Sequence, residues 1–107
     1  QVEHIDAVNN LREILSVPDI DGFIVGPYDL SGSMGIPGEF SNPKFINALN
    51  KIKKVAKEMN VYSGIHIIEP DKEQLIKSIA DNYKFIAYSL DIRMLDYSCQ
   101  SALKDIR

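Results

Sequence analysis

Four times along this chain a short apolar run gives way to a segment whose apolar residues recur at helical spacing. That alternation constrains the fold more than any single motif. Gln1-Val2-Glu3-His4 reads as the end of a strand. It leads into a helix from Ile5 to Val17, with Ile5, Val8, Leu11, Ile14 and Leu15 on one face and Asp6, Asn9, Arg12 and Glu13 on the other. Pro18 blocks continuation. Gly22 to Gly26 is an apolar run without alternation, as expected of a strand covered on both faces. Pro27 to Gly38 holds two prolines and three glycines and reads as a long loop. Asn42-Pro43 is an N-cap followed by proline at the first helical position, and Phe45, Ile46, Leu49, Ile52, Val55, Ala56 and Met59 line the helix that follows. Val61 to Ile68 is the next strand. Pro70 and Asp71 open a helix expected to turn Leu75, Ile76, Ile79 and Ala80 inward. Phe85 to Ser89 is a fourth strand, before a last helix carrying Leu95, Cys99, Ala102, Leu103 and Ile106, with a break allowed near its start.

Strict strand–helix alternation implies a parallel sheet with helices packed outside it. Four units in 107 residues give about 27 residues each, against about 31 in a (β/α)8 barrel of roughly 250 residues. The expected fold is therefore α/β, with four consecutive βα units making half of a barrel. A small doubly wound sheet is the competitor, but four strands with a truncated first one would leave exposed edges and a thin core. Gln1 is not an initiator methionine and stands directly before a helix, so the chain is expected to be part of a longer one.

Charge narrows the function classes. Lys and Arg number 12 against 15 Asp and Glu, a net charge of −3, so the basic footprint of a nucleic-acid protein is lacking. Lys51, Lys53, Lys54 and Lys57 cluster at helical spacing and read as a solvated face. The one cysteine, Cys99, favours a reducing compartment, here the cytoplasm. No run approaches the roughly 18 apolar residues of a membrane span, and no membrane partner is expected.

Chemistry in parallel α/β folds collects where strands end. The strand ends here offer Gln1 and Glu3, then Pro27, Tyr28 and Asp29, then His66 and Glu69, then Ser89 and Asp91. Gln1 and Glu3 share one side of their strand, with Val2 on the other. A carboxylate facing a barrel interior is costly unless a cation or donors meet it. Asp29 follows the next strand directly, and neighbouring strands lie about 4.8 Å apart. Two carboxylates so placed can hold one hard divalent cation. All-oxygen ligation suits Mg²⁺ or Mn²⁺, with Co²⁺ a third option.

The segments Gln1-Val2-Glu3 and Gly26-Pro27-Tyr28-Asp29-Leu30-Ser31-Gly32-Ser33-Met34-Gly35 resemble the Q-I-E and G-P-x-D-L-S-x-S-M-G signatures of HpcH/HpaI-type class II pyruvate aldolases. That group includes 4-hydroxy-2-oxoheptanedioate and 2-dehydro-3-deoxyglucarate aldolases. Gly64-Ile65 and Phe85-Ile86-Ala87-Tyr88-Ser89 fit its seventh and eighth strands. The resemblance implies that residues 1–107 are the C-terminal half of the barrel, strands five to eight. It also implies Glu3 and Asp29 as metal ligands, Gln1 as a contact to the 2-oxo acid, and backbone N–H groups at Tyr28 and Asp29 as receivers of the pyruvate carboxylate. Tyr28 stands where many members carry alanine, so its ring is expected to influence which aldehyde fits.

The implied reaction cleaves a 4-hydroxy-2-oxo acid to pyruvate and an aldehyde through an enolate stabilised by the metal as Lewis acid. The family's general base and supporting arginine belong to the N-terminal half, so this segment alone is expected to be inactive. That half, and further copies in a hexamer packing on the last helix, are the implied protein partners. His4 and His66 match no catalytic position of the family. A half-barrel that binds metal or 2-oxo acid without chemistry is the alternative. A phosphate-binding module using the Gly32 to Gly38 loop is disfavoured, because that loop lacks both glycine-motif spacings and any Lys or Arg.

Overall fold

The computed structural model describes residues 1–104 and 106. Helices α1 (Ile5–Asn9) and α2 (Leu11–Leu15) precede strand β1 (Gly22–Val25). Helices α3 (Pro27–Ser33) and α4 (Pro43–Met59) lead to β2 (Tyr62–Ile67), and α5 (Lys72–Ala80), β3 (Phe85–Tyr88) and α6 (Asp91–Leu103) complete the chain. The sheet order is β1-β2-β3, all parallel. The opening segment joins it through a parallel bridge between Val2 and Val25, with Val2 N–H donating to Ile24 O at 2.8 Å. Strands therefore lie side by side in chain order, and the sheet is not closed. The chain has an α/β fold of half-barrel type.

The pleat gives each face its character. Phe23, Val25, Ile65 and Ile67 are buried on the helix-covered face. Ile24, Gly64, His66 and Ala87 stand in register on the other face, the lumen side. There the ring of Phe85 lies across β2. A Cβ at Gly64 would sit 2.4 Å from Phe85 Cε2, so only glycine leaves room for it. Val8, Leu11, Leu30 and Ile52 form the centre of the core, all at most 1% exposed.

Several expectations are corrected. The segment after Pro18's predecessor helix behaves as expected, but that helix is two pieces. Asn10 has φ −101° and ψ 14°, and its side chain donates to Asp6 O at 3.0 Å, competing with the helical ladder. His4 caps α1, with Nδ1 accepting from the Asp6 N–H. Pro27 to Gly38 is not wholly a loop, since Pro27 to Ser33 is helical. Pro27 at the first helical position is pre-set for it, and Leu30 is completely buried. Counting prolines and glycines missed both facts. Of the four residues expected inward on α5, Ile76 and Ile79 are 56% and 61% exposed, and Ala80 is exposed as well. Leu75 alone packs against the core. Helix α6 runs unbroken from Asp91 and buries none of its residues. For α6 the physical reason is that the sheet ends at β3, with no further strand beside it among the described residues. Helix α5 packs against β2 and β3, and that contact covers Leu75 but not Ile76 or Ile79.

Candidate functional site

The C-terminal ends of the opening segment, β1 and β2 converge on a cavity of about 150 Å³. Gln1, Glu3, Gly26, Tyr28, Asp29 and His66 are among the residues that line it. The structure thus places all four sequence-derived site residues around one space. Glu3 is half-buried, and its carboxylate lies against Gly26. A Cβ there would come within 2.7 Å of Glu3 Oε1. Asp29 stands in the first turn of α3, and hydroxyls hold both acidic segments together. Ser33 Oγ accepts from the Ile5 N–H at 3.0 Å and donates to Leu30 O at 2.7 Å, tying the chain after Glu3 to the helix of Asp29. Ser31 Oγ donates to Tyr28 O and accepts from the Gly38 N–H, bracing the same turn. Met34 packs against the core.

Glu3 and Asp29 have no ion-pair partner among the described residues. Two unpaired carboxylates around one cavity are a donor pair suited to a hard divalent cation. They do not form a closed cage, because no group of three or more His, Cys, Asp or Glu converges on one point among the described residues. By helix geometry the N–H groups of Tyr28 and Asp29, in the first turn, have no intrahelical acceptor.

A larger cavity of about 330 Å³ adjoins the first, and Pro27, Tyr28, His66 and Ile68 border both. The Tyr28 ring meets Phe40 edge-on at 4.9 Å, and Phe40 meets Phe45 at 5.3 Å. Aromatic surface therefore rims the upper end of this space. Glu69, just past the end of the strand that carries His66, pairs with Arg93 at 2.7 Å. Asp71 caps α5 by accepting from the Glu73 and Gln74 N–H groups.

Lysine chemistry is remote from the carboxylates. No lysine lines the smaller cavity, and Lys84 stands beside Asp21, Gly22 and Tyr62 at the other end of the sheet. The lysine cluster on α4 is no free basic patch either. Lys51 donates to Asn9, and Lys53 pairs with Asp81. Strand parity with Gly64 places His66 on the lumen side, whereas the Glu3–Gly26 contact joins two segments and has no local signal in the sequence.

A parallel half-barrel with acidic side chains at adjoining strand ends defines the class: one piece of a βα-barrel with its site at the C-terminal face. Residues 1–95 match the family model described as HpcH/HpaI aldolase/citrate lyase, and the chain belongs to that family. It is 36% identical over 95 residues to a hydroxypyruvate/pyruvate aldolase of Sagittula stellata, covering 89% of this chain and 37% of that protein. It is 33% identical to a 2-keto-3-deoxy-L-rhamnonate aldolase of Escherichia coli, covering 85% of this chain and 33% of that one. The solved structure of an HpcH/HpaI aldolase/citrate lyase family protein from Burkholderia cenocepacia superposes with a TM-score of 0.91 at 28% identity. The superposition covers all of this chain and 41% of that one. The chain therefore spans less than half the length of each of these relatives.

Proposed function

We propose that residues 1–107 act as strands five to eight of a carbon–carbon lyase that cleaves 4-hydroxy-2-oxo acids to pyruvate and an aldehyde. The observation that carries this reading is the pair of unpartnered carboxylates, Glu3 and Asp29, lining one cavity. Relatives named as aldolases of 2-oxo acids support the same chemistry. Glu3 and Asp29 would hold Mg²⁺ or Mn²⁺, with Co²⁺ as a substitute. Such an ion supplies Lewis-acid stabilisation of the charge that develops on the 2-oxo acid as its C3–C4 bond breaks. Gln1 orients the 2-oxo group by hydrogen bonding. The N–H groups of Tyr28 and Asp29 receive the carboxylate, and the Tyr28 ring borders the space left for the aldehyde.

Among the described residues no arginine or lysine lines the cavity, and by family resemblance the general base and the supporting arginine belong to the N-terminal half of the barrel. That favours a second reading for the segment in isolation: it binds metal or 2-oxo acid but does not turn over. Among the described residues no helix is long and apolar enough to cross a membrane. The exposed apolar residues of α6 suit a homo-oligomer, a hexamer by family resemblance, in which this helix packs on a neighbour.

The test is Mn²⁺ titration calorimetry on the intact protein. Glu3→Gln and Asp29→Asn should each weaken binding by more than about tenfold, since even residues behind metal ligands are worth 10–100-fold. Unchanged affinity in both variants removes these ligands and the reading with them.

A further inference from the structure

We infer that His66 is a substrate-binding residue of this site, its Nδ1 accepting a hydrogen bond from the hydroxyl on C4 of the 2-oxo acid. The inference deepens the proposed aldol cleavage and rests on it.

The pleat of β2 is the starting point. Ile65 and Ile67 are buried, so His66 between them faces the lumen, in register with Ala87. It lines the same cavity as Glu3 and Asp29, yet the three do not form a common ligand group. A role other than metal ligation follows. Its Nε2 lies 3.3 Å from Ser89 O. A carbonyl oxygen can only accept, so Nε2 carries the proton, and in the neutral ring Nδ1 is the acceptor. Among the described residues Nδ1 has no hydrogen-bond partner.

Ser89 is built to hold that carbonyl in place. Its backbone is left-handed, with φ 62°. Its N–H donates to Ile67 O at 2.6 Å, and its hydroxyl donates to Ile68 O at 2.9 Å. Three contacts therefore run from this one residue to β2 and the residues just beyond it, and together they fix the imidazole's tautomer and tilt.

Position selects the ligand atom. Glu3 and His66 stand two strand spacings apart, roughly 10 Å along the wall, with the β1 end between them. A 2-oxo acid held by its keto and carboxylate oxygens at the acidic pair extends C3 and C4 away from that pair. An acceptor on the far side of the cavity meets the C4 hydroxyl rather than the pyruvate moiety. His66 also borders the larger, aromatic-rimmed cavity, where the remainder of the aldehyde would lie.

The test separates the two ends of the substrate. In the intact protein, His66→Leu should lower kcat/KM for cleavage of a 4-hydroxy-2-oxo acid about tenfold, the worth of one good hydrogen bond. Mn²⁺-dependent exchange of pyruvate methyl protons with deuterated water involves no C4 hydroxyl, and should stay within about twofold. Calorimetric affinity for a 2-oxo acid lacking that hydroxyl should stay equally close. His66→Gln, which can still donate to Ser89 O and present an acceptor, should recover part of the cleavage. Equal losses in cleavage and exchange, or no loss in either, overturn the assignment. Exchange that survives Glu3→Gln overturns the metal reading and this inference together, whereas exchange lost in Glu3→Gln but kept in His66→Leu supports both.

Discussion

The first two βα units and the last two were written with the same pattern and came to different ends. Val8, Leu11, Val25, Leu30 and Ile52 are wholly enclosed. In the later half, α5 buries only Ser78, β3 buries none of its residues, and α6 buries none of its own. Ile92, Leu95 and Leu103 are each about two-thirds exposed, at 67%, 66% and 65%. Helical periodicity announces which face is to be covered, not what covers it. Each half has one edge member, the opening segment or β3, and one interior strand, β1 or β2. The difference lies in the helices, since α4 packs on α1 and α2 as well as on β2, whereas the main contacts of α5 are with β2 and β3.

The largest effect should come from cutting the core on the closed side. Ile52→Ala should cost the 107-residue chain about 2–5 kcal/mol in urea unfolding, from lost transfer energy plus a cavity. Leu95→Ala on α6 should change stability by no more than about 0.5 kcal/mol, the usual range for a surface site. In the intact assembly the second substitution should become costly. If Leu95→Ala is damaging in the short chain too, the contrast between the halves fails.

Next in size is an effect on the site rather than on the fold. Gly26→Ala puts a methyl where the Glu3 carboxylate rests. The backbone there, φ −100° and ψ 96°, is open to alanine, so the penalty falls on Glu3 and not on the turn. Displacing a positioned group by about 1 Å can cost on the order of 10²-fold in rate. The intact protein should lose activity to that degree while keeping its unfolding midpoint. Retained activity would mean that Glu3 tolerates displacement, and its assignment would weaken.

Much of this was legible from residues alone. Short apolar runs between amphipathic segments gave the parallel order, and the strand ends pointed to Glu3 and Asp29, which line one cavity. Local chemistry carried these readings, because strand parity and caps act over a few residues. The errors arose where a count replaced a mechanism or where distant structure decided. Pro27 looked like a breaker by composition, although proline favours the first helical turn. Asn10 splits a helix by a side-chain bond that periodicity does not register. The exposure of Ile76 and Ile79 depends on which elements adjoin α5, and no local pattern encodes that. His66 reaches Ser89, 23 residues away, a contact that no local pattern encodes.

The smallest effect concerns Tyr83, which stands just before β3 and packs into the core. Its ring is 7% exposed, and its hydroxyl is buried with no hydrogen-bond partner. Burial, reinforced by the nearby Asp81 carboxylate, pushes its pKa from 10.0 up to about 12. Between those values the unfolded chain gives up the proton while the folded chain keeps it. Folding stability should therefore be complete below pH 10 and decline as pH rises through about 12. The total is roughly 2–3 kcal/mol. Tyr83→Phe should abolish that alkaline slope and delete the last step in tyrosinate absorbance. It should also leave stability at neutral pH unchanged or raised by about 1 kcal/mol, because a dehydrated, unbonded hydroxyl is lost. A clear loss of stability in this variant would show that the hydroxyl is satisfied in solution. The packing around Tyr83 would then be tighter than its buried, unbonded oxygen implies.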